Sequence, residues 1–226
     1  MKNPCYNWTK KEWLIWGVSL FIVLGCGLLT RPIDFLTLVA TSVGITMLMF
    51  AAKGNVIGQF LSVIFCVLYV VISYRFRYFG EMITYLCMSM PIAIFSIITW
   101  LKNPTDNTKT VVKIRRFTKN ECVFTCVFSV IVTVILYFVL KKFNTPNLIV
   151  STISVATSFA AAYLTMRRIS FYALAYALND LVLIVLWVLA SFENIQYIPV
   201  AVNFFIFLFN DFYGFCSWKK REREQC

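Results

Sequence analysis

Three apolar stretches of this 226-residue chain carry amides, acids and aromatic rings on one helical face. In the stretch 171–190, Tyr172, Tyr176, Asn179, Asp180, Leu183 and Trp187 fall within an arc of about 100° at 100° per residue. In 196–218, Asn203, Phe207, Asn210, Asp211, Gly214 and Trp218 do the same. In 55–74, Asn55, Gln59, Ser62, Cys66, Tyr69 and Ser73 share an arc of about 80°. Polar groups inside an apolar helix are costly and face a bundle interior or a water-filled cavity. Tyrosine and tryptophan faces attract flat cations, by roughly 0.5–2 kcal/mol each. Asparagine and glutamine amides pair with ring amides or sugar hydroxyls. Asp180, Asp211 and Glu81 could balance a positive charge. The candidate solute contacts are therefore Gln59, Tyr69, Tyr172, Tyr176, Asn179, Asp180, Trp187, Asn203, Asn210 and Asp211. Glu81, Pro91, Trp100 and Trp218 are candidates for a gate or a path.

Each candidate has a plainer role to set beside that one. Asp180 and Asp211 could brace helices, and Glu81 could sit in water near Arg75 or Arg77. Trp100 and Trp218 could belong to an interfacial aromatic belt. Pro91 could be a static kink, or a hinge with an exposed carbonyl. Thr37, Thr41, Gly44 and Ala51 form a row of small residues, as do Ser151, Ser154, Ser158, Ala162 and Thr165. Such rows let helix backbones approach closely, so they are read as packing.

The elements that must position these residues are transmembrane helices. The chain is 60% hydrophobic and 14% charged, and its mean hydropathy is +0.78. Charges gather between apolar runs of roughly 18–22 residues, the length that spans a bilayer core. The expected fold is an all-α membrane protein with eight spans at 13–30, 33–52, 55–74, 79–100, 122–141, 147–166, 171–190 and 196–218. The net charge is +11 without any histidine. Sixteen Lys and Arg residues fall on the side of the N-terminus and five on the other. That asymmetry is the positive-inside bias and places both termini in the cytoplasm, with the lipid bilayer rather than nucleic acid as the partner of a basic chain. Cys122 and Cys126, the closest of the eight cysteines, lack metal-knuckle spacing. No metal, cofactor or disulfide framework is expected.

The halves also resemble each other at an offset of 118 residues. Val67–Tyr74 lies over Val185–Phe192, and Trp100 falls on Trp218. The expected organisation is an added first helix (13–30), a three-helix unit (33–100), a linker helix (122–141) and a second three-helix unit (147–218) within one transmembrane domain. Parallel repeats of this kind are one known transporter plan.

Several short motifs carry a family resemblance. Phe79-Gly80-Glu81-Met82-Ile83-Thr84-Tyr85, Trp100-Leu101-Lys102-Asn103-Pro104, Asn179-Asp180 and the ending Asn210 to Trp218 resemble the PnuC family of bacterial nicotinamide riboside transporters. The resemblance runs from about Gly54 to Lys220. It departs at Phe79, where the family motif commonly has tyrosine, and the first span lies outside it. It implies a SWEET-like 3+1+3 fold, a homotrimer in the bacterial plasma membrane and facilitated diffusion of nicotinamide riboside. It also implies trapping of the solute by a cytosolic riboside kinase. The chain has no Walker motif with which to couple ATP hydrolysis. Thiamine, another flat cation carried by sister branches, is the alternative solute, and riboflavin, neutral and larger, is a weaker third. A membrane-embedded enzyme is disfavoured because the ten acidic residues form no cluster within a span.

Overall fold

A computed structural model describes residues 8–30, 33–105 and 108–225. Of the residues used in the charge count, Lys2 and Arg31 lie outside them. Among the described residues, eight helical segments are long and apolar enough to cross a membrane. The helices are α1 (Lys10–Leu29), α2 (Phe35–Ala52), α3 (Ile57–Arg75), α4 (Phe79–Thr84) and α5 (Met90–Leu101), followed by α6 (Lys119–Lys142), α7 (Leu148–Met166), α8 (Tyr172–Ser191) and α9 (Ile198–Glu224). α4 and α5 form one span, interrupted by a π-helical turn at Tyr85–Ser89. The fold class and the number of spans are those the sequence led us to expect.

Local chemistry sets the helix ends. Thr9 and Glu12 form a reciprocal capping box at the start of α1, which satisfies two of the orphan N–H groups there. Asp34 caps α2 by accepting from the Leu36 N–H, and Thr118 caps α6 by accepting from the Glu121 N–H. Pro91 lacks an N–H, and the backbone ahead of it slips by one residue, so that the Met90 N–H bonds the Tyr85 carbonyl. The kink expected at Pro91 is therefore a π turn, and the turn carries the side chains that matter below. α9 runs to Glu224, six residues past the expected end at 218. Its charged extension is held by the Lys219–Glu222 ion pair at 2.8 Å and by the Ile114 N–H donating to the Gln225 side chain.

The segment 101–121, expected as a polar loop, contains an antiparallel pair of strands, β1 (Pro104–Thr105) and β2 (Thr108–Val112). It straps one end of the bundle. The Val112 N–H donates to the Gly54 carbonyl, and the Arg115 N–H donates to the Arg168 carbonyl, both at 2.9 Å. Gly54 and Arg168 both follow a span and both have left-handed backbones, with φ of 64° and 63°. Beneath the strap, four donors cross between the two halves of the chain. Trp100 Nε1 donates to the Thr165 carbonyl at 3.0 Å, and Trp218 Nε1 to the Ala51 carbonyl at 2.8 Å. Thr99 Oγ1 donates to the Met166 carbonyl at 3.1 Å, and Ser217 Oγ to the Ala52 carbonyl at 2.8 Å. α5 thus gives an indole and a hydroxyl to the final carbonyls of α7, and α9 gives the same pair to those of α2.

α1 packs on α2 and α9. Glu12 accepts from Lys53 at 2.9 Å and from Tyr213 at 2.8 Å, Trp16 Nε1 donates to Thr46, and Asn210 donates to Ser19 at 3.1 Å. The contacts of Glu12 place the start of α1, the end of α2 and the end of α9 together. At the opposite corner of the same end, Glu121 of α6 is bridged by Arg115 at 3.0 Å and by Arg167. Its hydrogen bond holds the Arg167 guanidinium above its ordinary range.

Candidate functional site

A cavity lies in the middle of the bundle between α2, α3, α5, α7, α8 and α9. Six of the ten expected solute contacts line it: Gln59, Tyr172, Tyr176, Asn179, Asp180 and Asp211. All but Tyr176, which is partly exposed, are buried. The carboxyls of Asp180 and Asp211 are within reach of each other, and one oxygen of Asp180 has no hydrogen-bond partner among the described residues. Both fall well inside their own helices, α8 and α9.

Asn179 is fixed in place by two hydrogen bonds. Thr157 and Ser158 on α7 donate to its side-chain oxygen at 2.8 and 2.9 Å. That uses the acceptor and leaves the amide N–H₂ as the group it can offer a solute. Tyr172 lies edge-on to Trp218, with ring centres 4.7 Å apart, and edge-on to Tyr176 at 6.2 Å. The cavity thus has a floor of tyrosine rings beside an acidic pair, with Asn179 and Gln59 supplying amides.

The other candidates lie elsewhere. Tyr69 and Trp187 do not line the cavity; the indole Nε1 donates to the Tyr69 hydroxyl at 2.8 Å in a fully buried contact beyond one end of it. Asn210 turns away toward Ser19 and the Ile206 carbonyl. Asn203 is buried off the cavity, its side-chain oxygen without a partner among the described residues. Pro91 is likewise off the lining, whereas Tyr85 and Ser89 of the preceding π turn are on it. Trp100 and Trp218 are 2% and 0% exposed, so they face neither lipid nor the cavity and instead form the clasp under the strap. Glu81 is not in water beside Arg75 or Arg77: it is 1% exposed, and neither carboxyl oxygen has a hydrogen-bond partner among the described residues.

Residues read from the sequence as packing also contribute. Ala51, Ser158, Ala162 and Thr165 come from the small-residue rows and line the cavity, as do Phe65 and Phe204. A small side chain that allows close packing also leaves space, and sequence alone does not distinguish the two outcomes.

Comparison with known proteins decides the family. The model of the family described as nicotinamide mononucleotide transporter matches residues 34–220. The chain belongs to that family. The nicotinamide riboside transporter PnuC of Neisseria mucosa is 25% identical over 219 residues, covering 95% of this chain and 82% of that protein. The crystal structure of the vitamin B3 transporter PnuC superposes with a TM-score of 0.85 at 24% identity, covering 97% of this chain and 95% of that one. The family match begins beyond α1, but the fold match covers nearly the whole chain. This is a multi-pass membrane protein of a transporter family.

Proposed function

We propose that this protein carries nicotinamide riboside across a bacterial plasma membrane by facilitated diffusion. The observation that carries this reading is the buried cavity in which an acidic pair, three tyrosines and two side-chain amides converge. A pyridinium ring needs a counter-charge and an aromatic face, its carboxamide needs amide partners, and its ribose needs hydrogen-bonding groups. Asp180 and Asp211 supply the charge, Tyr172 and Tyr176 the faces, and Gln59 and Asn179 the amides. The named activity of the Neisseria relative supports the same solute. Trapping by a cytosolic riboside kinase would keep uptake running downhill.

The reciprocal indole and hydroxyl bonds between the halves support a 3+1+3 repeat with the cavity between its units. A homotrimer with both termini in the cytoplasm completes the reading, with the basic strap on the cytoplasmic side. Substrate choice is tested by calorimetry of nicotinamide riboside, thiamine and riboflavin on one detergent-purified sample. The riboside is expected to bind and riboflavin not to; thiamine binding without riboside binding would overturn the assignment. Uptake into proteoliposomes lacking any ion gradient tests the mechanism, and strict dependence on sodium or protons would refute facilitated diffusion.

A further inference from the structure

At the end opposite the strap, a second hollow opens between the ends of α1, α3 and α8 and the starts of α2 and α9. An ion pair at its rim joins Asp34 to Arg75 at 3.3 Å. Phe76 and Tyr197 line its wall, their ring centres 4.8 Å apart. From there aromatic rings continue inward without a break. Tyr197 meets Trp187 at 5.7 Å, Trp187 meets Tyr78 at 4.8 Å and Tyr69 at 6.3 Å, and Tyr69 meets Tyr85 at 4.2 Å. Tyr85 is itself a wall of the central cavity. The chain of rings therefore joins the two hollows.

Beside the middle of this chain lies Glu81. Its carboxyl is close to Tyr69, Tyr78 and Tyr85, and the Ser154 hydroxyl of α7 faces it. Beyond that Ser154 hydroxyl, neither of its oxygens nor the buried Tyr78 hydroxyl has a hydrogen-bond partner among the described residues. Buried polar groups are normally satisfied, so an acid with so few partners calls for an explanation. Set among three tyrosine side chains, its natural partner is a positive charge.

We infer that the rings from Phe76 and Tyr197 to Tyr85 form the passage between the outer hollow and the central cavity, with Glu81 as the counter-charge for a flat heteroaromatic cation in transit. The inference rests on the proposed function and adds to it a second, transient cation site about midway along the entry route. A carboxylate there acts on passage and not on final affinity, because the resting site has its own acids in Asp180 and Asp211.

The test compares nicotinamide riboside with the benzamide C-riboside, a neutral molecule of the same shape. For Glu81→Gln, initial uptake of the cation into proteoliposomes should fall by roughly tenfold, as loss of an attracting charge lowers entry rates. Uptake of the neutral isostere should stay within about twofold, and so should the calorimetric affinity for the riboside. Glu81→Asp should restore most of the cation's advantage. Equal slowing of both solutes would show a merely structural role and overturn the inference, as would unchanged cation uptake. Should Glu81→Gln fail to yield folded protein, Tyr78→Leu removes a ring without touching charge; it should slow the cation more than the isostere, and equal rates would overturn the passage. Wild-type protein that binds no riboside would refute the function itself and this inference with it. Wild-type protein that transports the riboside, with Glu81→Gln its equal, would refute the inference alone.

Discussion

Tyr69→Phe separates the face seen in the sequence from the site seen in the structure. The change removes one hydroxyl and keeps the ring. That hydroxyl accepts from Trp187 Nε1 at 2.8 Å, and the two side chains are 2% and 0% exposed. The indole has no other hydrogen-bond partner given by the structure, so its N–H would be left buried and unpaired. Such an orphan costs about 1–3 kcal/mol, more than the net value of an ordinary bond. For a chain of this size each kcal/mol lowers the melting temperature by roughly 2–4 °C, so a cost of about 2 kcal/mol should lower it by about 4–8 °C. Far-ultraviolet circular dichroism during heating in detergent reads the shift, and calorimetry on the same sample reads riboside affinity. Affinity should remain within about twofold, because Tyr69 lies outside the cavity lining. An unchanged melting temperature with a tenfold loss of affinity would put the hydroxyl on the solute and refute the placement.

Further outcomes follow from the same geometry. Asp211→Asn should weaken the riboside by about 10–150-fold and leave the neutral C-riboside nearly unaffected, since a buried interaction with a charged group contributes about 1.5–3 kcal/mol; equal losses for both solutes in calorimetry would exclude a charge role. Asn210→Ala removes the bond to Ser19 between α9 and α1, and should cost about 1 kcal/mol in detergent unfolding while leaving riboside affinity intact. A large loss of affinity there would return Asn210 to the site.

The spans were legible because bilayer thickness fixes helix length, and composition alone records it. The helical faces of α3, α8 and α9 were legible as well, because angle about a helix axis follows from spacing. Depth along the axis does not. Trp187 shares its face with Asn179 but lies two turns further on, in the aromatic passage. An arc of about 100° is also wide enough to meet two neighbours: Asp211 at one edge reaches the cavity, and Asn210 at the other reaches α1. The π turn left only Pro91 as its sequence signal, and it moved Tyr85 and Ser89 onto the lining in the proline's place. The strap was read as a loop because its order comes from backbone bonds to Gly54 and Arg168, which no side-chain pattern records.

The two ends of the cavity are closed by different physics, and this gives a last prediction. The passage end is closed by rings, whose contacts can re-form after a rotation. The strap end is closed by four directed bonds to backbone carbonyls. Two of those carbonyls have second partners: Ala51 also accepts from the Gly54 N–H and Thr165 from the Arg168 N–H. The other two carbonyls and the donors meet water as this end opens, so opening sacrifices the net value of each crossing bond, about 1 kcal/mol, and not the larger cost of a group left buried and unpaired. Those four bonds and the two strap amide bonds give about 6 kcal/mol, which keeps the strap-open form a minor state that a solute favouring it can draw on. Thr99→Val combined with Ser217→Ala deletes two of the four and should lower that gap by about 2 kcal/mol, raising the open population roughly 30-fold. Hydrogen exchange at the Val112 and Arg115 amides, which bond to opposite halves of the bundle, reads that population directly. Both amides should exchange faster by the same factor, because one opening releases both. Faster exchange at one amide alone would mean that the strap frays locally, and the clasp would then not be a single gate.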